Sequence, residues 1–165
     1  MKVARLTAFP WRNQKLVLYH GTVGVHVKSI LKRVKLMQWH DASDFGLGFY
    51  TTTSLLQAQR FAAYKSRRTG GPPVVVSFTI ERSLLSKLDS LWFVRHANDA
   101  DDFWQLVESC RTGETNRTKG LVYDIVIGPV ARDYESRLAW EQYDRVSFHT
   151  EQAFALLDNS NKGVI

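Results

Sequence analysis

Three features of this 165-residue chain predict an α+β domain with a mixed, partly antiparallel sheet and packed helices. Hydrophobic residues make up 44% of it, with five Trp and nine Phe, enough to bury one core at this length. Strand-like and helix-like segments alternate, but imperfectly, which disfavours a doubly wound parallel sheet. No repeat, low-complexity tract or linker interrupts them, so residues 1–165 read as one domain.

Lys15–His20 (KLVLYH) reads as a short strand bounded by Gly21. A helix is expected next, because Val27, Ile30, Leu31 and Val34 fall at i, i+3, i+4 and i+7. Lys28, Lys32 and Lys35 occupy its other face. Gly46–Thr52 (GLGFYTT) reads as a glycine-rich turn entering a strand. Leu55, Ala58, Phe61 and Ala62 then mark the stripe of a second helix, with Ser54 as its cap. The strongest turn signal is Thr69–Pro73 (TGGPP). Val74–Ile80 (VVVSFTI), almost all β-branched or aromatic, predicts an interior strand. Phe103, Leu106, Val107 and Cys110 repeat the helical spacing. Tyr123–Ile127 (YDIVI) predicts a strand closed by Gly128 and Pro129, and Arg145–His149 (RVSFH) the last strand. Thr150 is placed to cap a final helix through Leu157.

Composition excludes several classes. No run approaches the roughly 18 apolar residues of a spanning helix. Arg5, Arg12 and Asn13 interrupt the start, where a signal peptide would be apolar. One cysteine, Cys110, closes no intrachain disulfide and builds no cysteine-rich zinc site, so a cytoplasmic setting with no membrane contact is expected. His20, His26, His40, His96 and His149 show no metal-ligand spacing, and no metal is expected. Neither a phosphate-binding P-loop nor a G-x-S-x-G nucleophile elbow occurs. The 22 Lys and Arg outnumber the 16 Asp and Glu for a net +6, a field that favours polyanions without choosing among them.

Two local features invite chemistry. Gly46 and Gly48 around Leu47 let the backbone turn tightly and approach a ligand, with Tyr50 beside the gap, although an ordinary turn has the same composition. His20, at the end of an apolar strand, reads either as a ligand contact or as a satisfied buried histidine.

Beyond these, the chain resembles the ADP-ribosyltransferase superfamily. The resemblance is carried by Leu18–Thr22 (LYHGT), by Asp44–Thr52 (DFGLGFYTT) with Gln57, Ala58, Phe61 and Ala62, by Tyr123–Ala131 (YDIVIGPVA), and by Phe148–Ala153 (FHTEQA). It runs from about residue 16 to residue 157 and is similar to a group of small bacterial domains of largely unassigned function. What it implies is a split, mixed sheet around a cleft that binds NAD as co-substrate. His20 would hold the adenosine-side ribose, the Gly21 backbone would pair with the nicotinamide carboxamide, and Tyr50 would stack on the nicotinamide ring. Thr22 and Gly48 would border the same site. Phe61 would supply a second ring, or pack in the core. Aromatic faces suit a flat pyridinium cation, and a carboxylate suits the oxocarbenium-like charge that develops as nicotinamide leaves.

The third catalytic position departs from the family pattern. Where the superfamily usually has Glu and this group often has Gln, the chain has Arg145, and the stretch from Ala131 to Asp144 is shorter. Asp144 is the candidate acid, completing a catalytic set with His20 and Tyr50, and Glu141 is the runner-up. Arg145 would instead hold NAD phosphates or an anionic substrate. A solvated surface charge is the alternative for all three. Asp124 and Arg132 also match the motif, Asp124 reading as a structural partner near a strand start. The basic run Lys28, Lys32, Arg33 and Lys35, with Lys65, Arg67 and Arg68, either tracks a phosphate backbone or is a solvated face.

The activity implied is mono-ADP-ribosyl transfer to a macromolecule, nucleic acid or protein, by the toxin half of a toxin–antitoxin or phage-defence system with a neutralising antitoxin protein. The two rivals are a catalytically inactive NAD or ADP-ribose binding module and an RNA 2′-phosphotransferase on the same fold.

Overall fold

A computed structural model describes residues 14–36, 43–94, 101–113 and 123–165. Of the five histidines, His40 and His96 lie outside the described residues. The elements in order are β1 (Lys15–Val23), α1 (Gly24–Lys32), β2 (Phe49–Thr51), α2 (Leu55–Thr69), β3 (Pro73–Glu81) and the single turn α3 (Arg82–Leu85). There follow β4 (Ser90–Trp92), α4 (Asp101–Thr112), β5 (Ile125–Asp133), β6 (Leu138–Phe148), α5 (Glu151–Asp158) and β7 (Asn161–Val164).

The architecture is mixed α+β, with the strands divided between two sheets, β1-β3-β7 and β2-β6-β5-β4. All pairings are antiparallel except β4 with β5. Between the sheets, β1 and β2 touch at one bridge, where Tyr19 and Thr52 exchange both backbone hydrogen bonds at 2.9 Å. Leu18, Phe49, Val76, Phe78, Phe148 and Leu157 form a core that takes residues from both sheets and from α5. A second core sets α4, through Phe103, Trp104 and Val107, against Phe45 and Val126. Among the described residues, no helix is long and apolar enough to cross a membrane.

Local chemistry explains the helix boundaries. The Ser54 hydroxyl accepts from the Gln57 N–H at 3.2 Å and starts α2, and Gly70 and Gly71, at φ +79° and +83°, end it as only glycine readily can. The Thr150 hydroxyl accepts from the Ala153 N–H at 3.2 Å and starts α5.

Four boundaries and the last strand differ from the sequence reading. β1 does not stop at Gly21 but runs through it, because a bare Cα there lets α2 lie against the strand. α1 ends at Lys32, so Val34, read as the fourth residue of its stripe, is buried beyond the helix with its N–H donating to the Asp158 carboxylate at 2.7 Å. Leu31 of the same stripe is exposed. β5 continues through Gly128 and Pro129, since the pairing with β6 shifts register at Pro129, where a ladder N–H is not required. β6 begins at Leu138 rather than Arg145 and is followed by β7, so Arg145–His149 is not the last strand. The exposed, mixed residues of Leu138–Asp144 carry no alternation for a period-2 reading to find.

Candidate functional site

Past the Tyr19–Thr52 bridge, β1 continues through His20, Gly21 and Thr22, all buried. Tyr19 commits its backbone N–H and C=O to Thr52. Antiparallel alternation aims those of Gly21, two residues on, toward the same side. Val75, opposite Gly21 on β3, has the matching phase, since it exchanges both of its bonds with Ile165 on its far side. Gly21 therefore presents a donor and an acceptor at the split, the complement of a primary amide. Its missing side chain is needed for packing as well, because a Cβ would lie 2.2 Å from the Ala58 carbonyl oxygen.

His20 stacks on Phe49, with ring centroids 4.3 Å apart. Its Nδ1 lies 2.7 Å from the Tyr50 carbonyl and, because a carbonyl only accepts, Nδ1 carries the proton. Burial, reinforced by the charge of Lys65, lowers the His20 pKa to about 3, so the ring is neutral near pH 7. Nε2 is then a lone-pair acceptor, and among the described residues it is a buried side-chain atom with no hydrogen-bond partner. A buried acceptor in that state costs about 1–3 kcal/mol, which a hydroxyl donor would offset.

The Tyr50 ring lies across the strand from Phe49. Its hydroxyl donates to the Gly46 carbonyl at 2.5 Å and accepts from the Phe45 N–H at 3.2 Å, closing the glycine turn on itself. Burial raises its pKa against the opposing influence of Arg145. His149 braces the same turn, with Nδ1 donating to the Leu47 carbonyl at 2.7 Å, and burial lowers its pKa. Gly48 makes room for that imidazole, 2.8 Å from where a Cβ would stand.

Beside Tyr50 lies a buried ion cluster. The Asp44 carboxylate, fully buried, accepts from Arg111 Nε at 3.0 Å and from the Ala131 N–H at 3.0 Å, and pairs with Arg145 at 3.2 Å. Arg111 also donates to the Ala131 carbonyl at 2.8 Å. The Arg145 guanidinium sits over the Tyr50 ring, 5.4 Å from its centroid. Two guanidiniums share one carboxylate, so the cluster keeps one net positive charge. Sequence reasoning gave no role to Asp44 or Arg111. The only available signal was that a carboxylate inside an apolar, glycine-rich motif must find cations when buried, and those cations stand on α4 and β6.

Asp144 is not beside Tyr50. Successive residues of β6 face opposite ways, so Arg145 goes to Tyr50 while Asp144 goes to the junction of β2 and α2. There its carboxylate accepts from the Thr53 N–H at 3.0 Å and from the hydroxyls of Thr52 and Thr53. Gln57 completes the clamp, donating to the Asp144 carbonyl at 2.8 Å and accepting from its N–H at 3.1 Å. Asp144 also borders a cavity of about 600 Å³ walled by Leu16, Leu88, Ile127 and Val146.

The remaining candidates scatter. Phe61 is 45% exposed and stacks on Tyr64, so it does not pack in the core. Glu141 is exposed on β6. Asp124 is a structural partner, accepting from the Asp89 N–H at 3.0 Å and from the Thr150 hydroxyl. Arg132 lies over the Trp140 ring. Arg33 pairs with Glu151 at 3.2 Å. The structure thus gathers Tyr50, Gly48 and Arg145 in one cluster and sets His20, Gly21 and Thr22 at the split. The two groups join through the Tyr50 carbonyl.

A family model described as a protein of unknown function (DUF3990) matches residues 16–162. No curated protein and no solved structure matches the chain.

Proposed function

The chain belongs to the DUF3990 family, and we propose that it is an NAD-dependent mono-ADP-ribosyltransferase acting on a macromolecule. The reading is carried by one juxtaposition at the split, the buried unpartnered Nε2 of His20 beside the outward backbone donor and acceptor of Gly21. A ribose hydroxyl donates to the first. The nicotinamide carboxamide, with one acceptor oxygen and an NH₂ donor, complements the second. In the transfer, the bond from the ribose anomeric carbon to the nicotinamide nitrogen breaks with its electron pair going to nitrogen. The acceptor's nucleophile bonds to that carbon and gives its proton to solvent. With Arg145 where a carboxylate was expected, stabilisation of the developing positive charge is weak, so turnover suffers more than binding. A small enzyme of this kind resembles the toxin half of a toxin–antitoxin or phage-defence system, which is the ground for a toxin role with an antitoxin partner.

Arg145 itself favours a second reading. Its guanidinium covers one face of Tyr50 and leaves a net positive charge there, which repels a pyridinium and attracts a pyrophosphate. The chain would then bind NAD or ADP-ribose without turnover, or pass a 2′-phosphate of RNA to the ADP-ribose of NAD, the nicotinamide leaving and the RNA keeping a 2′-hydroxyl.

Nicotinamide release from NAD, followed by mass spectrometry with cellular RNA or protein added, tests the first reading. Release that is lost in His20→Ala and rises with one acceptor supports it. NAD that binds without release supports the binding module, release that needs 2′-phosphorylated RNA supports phosphate transfer, and absence of NAD binding overturns the nucleotide site.

A further inference from the structure

We propose that α2 and the neighbouring part of β6 form a binding surface for single-stranded nucleic acid, which on the transfer reading above is the acceptor. Over Leu55–Thr69, α2 carries Arg60, Lys65, Arg67 and Arg68 and no acidic residue. Phe61, Tyr64, Lys65 and Arg68 recur at i, i+3, i+4 and i+7 and so share one face. The Phe61 and Tyr64 rings stack 6.3 Å apart and are 45% and 46% exposed. Lys65 lies over Phe61 at 5.0 Å and Arg68 over Tyr64 at 5.5 Å.

The surface continues onto β6. Arg60, next to Phe61, donates to the Tyr143 hydroxyl at 2.6 Å. Tyr143 packs on Trp140, 46% exposed, and Arg132 lies over the Trp140 ring at 5.1 Å. Glu141, beside Trp140, is an exposed acid on the same strand, whereas the Asp144 carboxylate, beside Tyr143, is taken up by Thr52 and Thr53. Three half-exposed rings are thereby interleaved with five cations.

Cations alone would track any polyanion. Exposed rings add the capacity to stack on bases, and only unpaired bases offer their faces, so the combination selects single strands over duplex. The basic face of α1, with Lys28 and Lys32, has no aromatic residue and serves as the contrast. Lys65 also connects the surface to the split, since its charge helps to keep His20 neutral.

The test is fluorescence anisotropy with labelled RNA and DNA single strands of about 20 nucleotides, and the same sequence as duplex, without NAD and across a salt series. Expected are single-strand binding that loosens with salt, a loss of about fivefold or more in Trp140→Ala and in Tyr64→Ala, and less than twofold in Lys28→Ala. Unchanged affinity in both aromatic variants, or duplex bound as tightly as single strands, overturns the proposal. So does an absence of nucleic-acid binding by a chain that modifies protein. Because no NAD enters this assay, its failure leaves the transfer reading standing with a protein acceptor. A failure of nicotinamide release likewise leaves the surface standing.

Discussion

His20 and Asp44 show how burial sets the chemistry of single side chains. In His20 the folded pKa of about 3 lies below the ordinary 6.5, so between these pH values the unfolded chain binds more protons. The stability from its neutral ring is complete above pH 6.5 and is lost as pH falls toward 3, by about 1.4 kcal/mol per pH unit. Unfolding by urea at several pH values should therefore show the wild-type advantage over His20→Gln shrinking below pH 6.5. An advantage constant from pH 7.5 to 4.5 would mean the ring is not held neutral. For Asp44 the expectation is loss of the fold's buried anion. Asp44→Asn leaves Arg111 and Arg145 facing each other and should cost about 3–5 kcal/mol in denaturant unfolding. The added variant Arg145→Gln should recover part of that loss.

At the scale of elements, the glycines mark close approaches of backbone. Gly21→Ala would push α2 off β1, since the new Cβ meets the Ala58 carbonyl and not a flexible side chain. A destabilisation of about 1–3 kcal/mol is expected by thermal unfolding, with impaired binding at the split. A variant as stable as wild type would show that the helix can yield there. The strand carrying His20 and the helices capped by Ser54 and Thr150 were legible from periodicity and cap chemistry, which are local. The hairpin of β5 and β6 was not. Its turn depends on the Asp133 carboxylate accepting from the Glu135 N–H at 3.0 Å, and on Arg137 at φ +52°, neither of which leaves a period in the sequence. β4 and β7 were missed because three or four residues are too few to show alternation.

For the whole molecule, one core joins two sheets that, among the described residues, otherwise share a single bridge. Phe148, fully buried on β6, lies in that core with Leu18 of β1 and Val76 of β3. Phe148→Ala should lower the unfolding free energy by about 3–5 kcal/mol. It should do so in one cooperative transition, by fluorescence and by circular dichroism alike. Separate transitions would mean that the sheets fold independently.

The sequence by itself determined the α+β class, the helix caps and the interior strand, because hydrophobic period and cap chemistry are encoded over a few neighbours, whereas the residues at the split were named only by the resemblance of their motifs. Only the tertiary structure decided which charge stands beside Tyr50. Asp144 and Arg145 are adjacent in the chain, and a one-residue difference in register exchanges their faces. That register follows from the pairing of β6 with β2 and β5 and from an anion, Asp44, that draws Arg145 inward from a distant loop.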